Sequence, residues 1–189
     1  YVVKFFRPGR WSLEAIAEEQ HFVRDCAEDE IPVVSPIANT AGEDVSELLL
    51  EPDEEVQDSE EAAADNEAQE PVVPFVLYPK SGGRNFDAEG DEAWFRVGAL
   101  VGRVHAAARK REAHHRTRCR PDVSTKRDIA ELLEADVVHP DVREEFERIA
   151  TQTVERITPL FAGVEEHRLH GDCHRGNILE RPDEGLVLI

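Results

Sequence analysis

His170-Gly171-Asp172-Cys173-His174-Arg175-Gly176-Asn177 is the stretch on which the reading of this chain turns. Asp172 is followed five positions later by Asn177, and glycine at Gly171 and Gly176 frees the backbone to turn both side chains toward one point. Phosphoryl transfer needs such a pair. Bonding to the transferred group changes little in a loose transition state, so the protein mainly positions groups and neutralises charge. An Asp on a loop accepts the proton of an attacking hydroxyl and orients its oxygen. An Asn carbonyl is a hard oxygen ligand suited to Mg²⁺. The plainer alternatives are a surface turn or a metal site built from His170, Asp172 and His174, although the usual zinc spacings and a fourth ligand are not evident. A hydrolase built on Cys173 would need a base and an oxyanion hole that nothing marks.

Working outward, the chain becomes extended at Arg168-Leu169 before this loop, and short strands at 178–179 and 186–189 follow it around Asp183-Glu184-Gly185. Before the loop, helical spacing of apolar residues predicts three helices. The first runs over 91–115 with Trp94, Val97, Val101, Val104 and Ala108 on its stripe. The second covers 126–135. The third covers 141–161 with Val142, Phe146, Ile149, Ile157 and Leu160 on one face. His105 falls on the first stripe and reads as a satisfied core histidine. The basic run from Arg109-Lys110-Arg111 to Arg120 reads as a solvated face, with phosphate or an acidic protein segment as the alternative partner.

At the other end, residues 1–6 form a β-rich stretch carrying Lys4 that stops at Arg7-Pro8-Gly9, and Ser12 then caps a helix over 13–27. Ile16, Val23 and Cys26 line that helix and Glu19 shares their face, whereas Glu18 sides with Glu14 and Asp25. A lysine that reaches nucleotide phosphates must be held by a carboxylate, and a strand lysine followed by a helix glutamate supplies one. Alone, each is an ordinary surface residue; in this order, ahead of the Asp-Asn loop, they read as a phosphate-binding pair. Residues 31–38 alternate Val and Ile with Pro and read as a short extended segment or edge strand. Residues 71–78 form a buried strand, and 79–87, with Gly82-Gly83, a connector. Tyr78, where that strand meets the connector, is placed to pass an adenine ring, although any buried strand has the same pattern.

The net charge of −19 in 189 residues is local, since residues 43–70 hold 13 acidic side chains and no basic one. That segment is expected to be a disordered insertion. Binding of nucleic acid through overall charge is disfavoured. No apolar run is long enough to span a membrane and no signal peptide is evident, so a cytoplasmic protein is expected. The three cysteines are far apart and expected as free thiols. Because the chain opens inside Tyr1-Val2-Val3, lacks methionine and stops inside Leu186-Val187-Leu188-Ile189, it is expected to be a fragment.

The loop shares the His-x-Asp-x-x-x-x-Asn skeleton of protein kinases, with Gly171 where those carry arginine. With glycine before the Asp and a second His after it, the loop looks like the aminoglycoside phosphotransferase and choline kinase superfamily. Val3-Lys4-Phe5-Phe6-Arg7-Pro8-Gly9-Arg10-Trp11, Gly82-Gly83-Arg84-Asn85-Phe86, Gly102-Arg103-Val104-His105 and Leu169-His170-Gly171-Asp172-Cys173-His174 together resemble the bacterial stress response kinase A family. These blocks span nearly the whole chain.

The resemblance implies an α+β, protein-kinase-like two-lobe fold, truncated at both ends. The expected parts are a partial N-lobe over 1–78 with the acidic insertion 43–70, a hinge at 79–87, and a partial C-lobe over 88–189 with the catalytic loop at 170–177. It implies a serine/threonine protein kinase in stress response, using ATP and Mg²⁺, with a protein substrate and as a monomer. By motif, Asp172 is the proton acceptor, Asn177 a magnesium ligand, Lys4 the phosphate-contacting lysine and Glu19 its partner. The phosphate-covering loop would lie before Tyr1 and a second magnesium-binding Asp after Ile189, so this length alone is expected to be inactive. A small-molecule kinase of choline, aminoglycoside or homoserine type stays open, as does a non-catalytic pseudokinase or scaffold.

Overall fold

Ser12 starts the first helix as the sequence predicts: its Oγ accepts from the Ala15 amide at 3.2 Å, satisfying one of the orphan N–H groups of a helix start. A computed structural model describes residues 1–50, 72–182 and 184–189. In chain order the elements are β1 (Val2–Phe5), α1 (Leu13–Glu28), β2 (Val45–Leu49), β3 (Val72–Tyr78), β4 (Arg84–Asn85), α2 (Gly90–Ala108), α3 (Lys126–Glu134), α4 (Pro140–Ile157), β5 (Ile178–Arg181) and β6 (Gly185–Leu188). The architecture is α+β. Two antiparallel three-stranded sheets have the orders β1-β3-β2 and β4-β5-β6.

The described chain divides into two compact units, one made of Tyr1–His115 with His167–Ile189 and the other of Arg116–Glu166. In the first, α1 covers the β1-β3-β2 sheet, burying Ile16 against Phe6 and Val76. Full burial of a side chain like Ile16 contributes roughly 1.5–3 kcal/mol. A larger core joins Cys26 of α1 and Ile31 just after it to Leu100, Val104 and Ala107 of α2 and to Ile178 and Leu188 of the second sheet.

Five expectations need correction. Of the segment 43–70, Val45–Leu49 is a strand, pairing with β3 from Val45↔Val76 to Leu49↔Val72. Backbone pairing and the packing of Val45 against the Phe6–Ile16–Val76 cluster outweigh the local charge; the expectation for 51–70 lies outside the described residues. Residues 31–38 are an extended segment as expected but not an edge strand: they form only the parallel bridge Val33↔Leu188, because Pro32 and Pro36 lack the N–H a ladder needs. The segment still straps both sheets, with Val34 N–H donating to Leu188 O and Ile37 N–H to Leu77 O.

The connector 79–87 contains β4, and Arg181 Nε fastens it further by donating to Gly82 O at 2.9 Å. The long helix stops at Ala108 rather than 115, and its buried face is Ala93, Leu100, Val104, Ala107 and Ala108, leaving Trp94 58% exposed. Three of these five are alanines, which an apolar count over the larger side chains misses. In the second unit, α4 buries only Val154 and leaves Val142 and Ile149 exposed, since a unit of about 50 residues has little interior to offer.

Candidate active site

Lys4 leaves β1 and its Nζ meets Glu19 Oε1 of α1 at 2.7 Å, with the ammonium 4.8 Å from the centre of the Phe6 ring. The strand–helix pairing inferred from spacing is therefore a contact. Lys4 is half-exposed, so in water the pair alone adds little stability. Its significance is that a cation is held in one place with a face left open.

Behind the pair lies a residue that sequence reasoning passed over. Gln20, fully buried, accepts a hydrogen bond from the Tyr78 hydroxyl at 2.7 Å through Oε1, while its Nε2 stands 3.5 Å from Glu19 Oε1. Burial, with the Glu19 charge adding to it, pushes the Tyr78 phenol up to about 12, so it stays a donor. Tyr78 thus directs its hydroxyl toward α1. A buried glutamine beside Glu19 has no sequence signature beyond its position on the inward face.

The loop 170–177 orders itself by short-range hydrogen bonds. His170 Nδ1 accepts the Asp172 amide at 3.3 Å, and His174 Nδ1 accepts the Gly176 amide at 3.0 Å, capping the short turn Arg175–Asn177. Asn177 Nδ2 donates to the Asp172 carbonyl at 2.8 Å and to its Oδ2 at 3.2 Å, and His174 Nε2 is 3.7 Å from the same Oδ2. Asp172 and Asn177 are therefore neighbours in space. The glycines are needed for two reasons: Gly171 has φ +81°, and a Cβ at Gly176 would stand 2.8 Å from His174 Cε1.

Half-burial lowers the pKa of His170 from its usual 6.5, against the opposing pull of Asp172 and Glu19, while Lys4 and His174 lower it slightly further. The shift favours the neutral imidazole, which suits the acceptor role of its Nδ1.

His105 is half-buried, packs edge-on against His167 at 5.3 Å, and lines a mostly apolar cavity of about 220 Å³ with Val101, Val104, Leu169 and His170. The basic run is largely engaged inside its own units: Arg111 with Asp25, Lys110 with Asp29, and Arg118 and Arg120 with Glu166. Glu18 accepts the His114 and His115 amides at 2.7 and 2.9 Å. Among the described residues, no group of three or more His, Cys, Asp and Glu side chains is placed to hold a metal ion. No helix among them is long and apolar enough to cross a membrane.

A sheet-borne lysine paired to a helix glutamate, followed by an Asp-Asn loop ahead of a hairpin, is the layout of a kinase-like fold. The solved structure of amicoumacin kinase hAmiN in complex with AMP-PNP, Ca²⁺ and Ami superposes with a TM-score of 0.66, covering 99% of this chain and 50% of that one at 17% identity. The chain belongs to the phosphotransferase enzyme family, whose profile matches residues 1–189. It is 29% identical over 186 residues to stress response kinase A of Salmonella choleraesuis strain SC-B67 and to serine/threonine protein kinase RdoA of Salmonella typhimurium strain LT2. Identity to stress response kinase A of Escherichia coli strain K12 is 28% over the same length. These matches cover 96% of this chain and 48% of each relative, so the chain spans about half their length.

Proposed function

We propose that the protein is an ATP- and Mg²⁺-dependent phosphotransferase that passes the γ-phosphoryl group to a hydroxyl, with serine or threonine of a protein substrate as acceptor and a stress response as its setting. One observation carries this reading. The Lys4–Glu19 contact and the Asp172–Asn177 hydrogen bond, drawn from opposite ends of the chain, belong to one compact unit. The names of the bacterial relatives support a protein acceptor, and the nucleotide analogue and divalent ion bound to hAmiN support ATP with a divalent cation.

In this reading residues 1–78 form part of an N-lobe, 79–87 the hinge and 88–189 part of a C-lobe, in a cytoplasmic monomer. Lys4, held by Glu19, contacts the α- and β-phosphates, and Tyr78 marks where the chain passes the adenine. Asp172 Oδ2 is taken by the Asn177 amide, which leaves Oδ1 for the acceptor hydroxyl. The hydroxyl oxygen forms the new bond to the γ-phosphorus as the bond to the bridging oxygen of ADP breaks, and the hydroxyl proton passes to Asp172. Asn177 fits a hard cation, because its Nδ2 is held inward by Asp172 and its Oδ1 is the atom left for a metal. Bound Mg²⁺ would neutralise charge on the phosphate oxygens, with Asn177 as one protein ligand among phosphate and water oxygens.

The test is a radiolabelled phosphate-transfer assay on the whole protein with Mg-ATP, offering a serine/threonine protein mixture beside choline, aminoglycosides and homoserine. Label on protein, reduced at least about 100-fold by Asp172→Ala, supports the reading. Label on a small molecule alone moves the protein to that class of kinase. No transfer and no ATP binding would make it a non-catalytic scaffold.

A further inference from the structure

Asp25 was placed by spacing alone with Glu14 and Glu18, yet it is 5% exposed and faces a second buried charge. Arg168 Nη1 stands 2.7 Å from Asp25 Oδ2, and the two side chains are 7% and 6% exposed. No donor hydrogen is aligned on Oδ2, so this contact is a coulombic pair rather than a hydrogen bond. The hydrogens of Arg168 go elsewhere: Nε donates to Ala108 O at 3.3 Å and Nη2 to Ala107 O at 3.1 Å, satisfying last-turn carbonyls of α2. The guanidinium also lies 4.5 Å from the centre of the Phe22 ring of α1. Arg111 Nη2 approaches the other Asp25 oxygen at 3.3 Å.

One side chain therefore grips α1 twice and the end of α2 twice, two residues before His170 and four before Asp172. The same α1 carries Glu19, which holds Lys4. The loop's internal hydrogen bonds fix its shape but not its place. From these contacts we propose that Arg168, seated by Asp25, is a positioning residue that sets where Asp172 stands relative to the Lys4–Glu19 pair. It touches neither nucleotide nor acceptor and acts through the loop it launches. The proposal rests on the phosphotransferase reading for its catalytic consequence, but not for its structural one.

The experiment compares Arg168→Gln and Asp25→Asn with the whole wild-type protein in three measurements. Hydrogen exchange over residues 169–177 is expected to rise at least about tenfold in Arg168→Gln, with exchange in β1 unchanged. Steady-state transfer is expected to lose about 10- to 100-fold in kcat while KM for ATP stays within about twofold, because the lysine end of the site is untouched. A residue that merely stabilises the fold would lower the melting temperature without splitting kcat from KM. Asp25→Asn keeps the carbonyl and ring contacts, folds if Arg168→Gln does not, and is expected to show the same split at about 3- to 10-fold. Arg168→Lys, which retains the charge, is expected to recover part of kcat.

Unchanged loop exchange in both variants overturns the inference whatever the activity. So does an active wild type whose variants keep wild-type kcat, or lose kcat and KM together. If the wild type transfers no phosphate but the loop loosens as expected, the phosphotransferase reading fails while the positioning inference stands.

Discussion

Replacing Gln20 with leucine tests whether the buried bridge behind the lysine–glutamate pair is a real coupling. The substitution nearly preserves volume, so no large cavity opens, and the Lys4–Glu19 contact is not directly removed. What disappears is the acceptor of the Tyr78 hydroxyl, a 2.7 Å bond between residues 58 apart in sequence. The Tyr78 hydroxyl is partly buried, so leaving it without a partner costs at most about 1–3 kcal/mol, compared with about 1 kcal/mol gained net by a satisfied bond. At about 2–4 °C per kcal/mol for a chain of this size, Gln20→Leu should lower the melting temperature by roughly 2–12 °C. Denaturant unfolding of wild type, Gln20→Leu, Tyr78→Phe and the double variant closes the cycle. Once Gln20 is gone, deleting the hydroxyl removes an unsatisfied group, so Tyr78→Phe should then cost almost nothing or restore stability, giving a coupling of about 0.5–3 kcal/mol. Equal costs of Tyr78→Phe in both backgrounds would refute the bridge.

Gly171→Ala forces a Cβ onto a residue at φ +81° with open space around it, so the penalty is backbone strain of about 1–2 kcal/mol, read in denaturant unfolding. No loss of stability would show that the loop adopts another backbone. His170 is expected to titrate below 6.5 in an NMR pH series, because half-burial disfavours its charged form. The sign follows: with the folded value depressed, the unfolded chain binds more protons below about 6.5, so this histidine removes stability as pH falls through that region toward its folded value. Replacing it with Asn should flatten that part of the pH–stability curve, and an unchanged slope would contradict the assignment.

Much of the site is written in local order. The spacing of Asp172 and Asn177, and the glycines between and beside them, specify a loop whose hydrogen bonds span at most five residues, so the sequence alone suffices to read it. Lys4 on a strand and Glu19 on the inward face of a capped helix were legible for the same reason, since period and capping are local properties. The strand at 45–49 was not, because its partners lie in β3, beyond the acidic stretch whose charge dominated the local reading.

What the sequence by itself determined is the order of the elements apart from β2 and β4, the spacing within the loop 170–177 and which residue types are available for phosphoryl chemistry. Only the tertiary structure decided which face of α2 is buried, that Tyr78 reaches Gln20, and that Asp25 meets Arg168 rather than solvent. A helix wheel weights side chains by apolarity, whereas the buried face of α2 includes Ala93, Ala107 and Ala108, and a carboxylate enters the interior only when a distant arginine arrives to face it. Such pairs cost desolvation that no local pattern records, and only close packing of remote segments repays it.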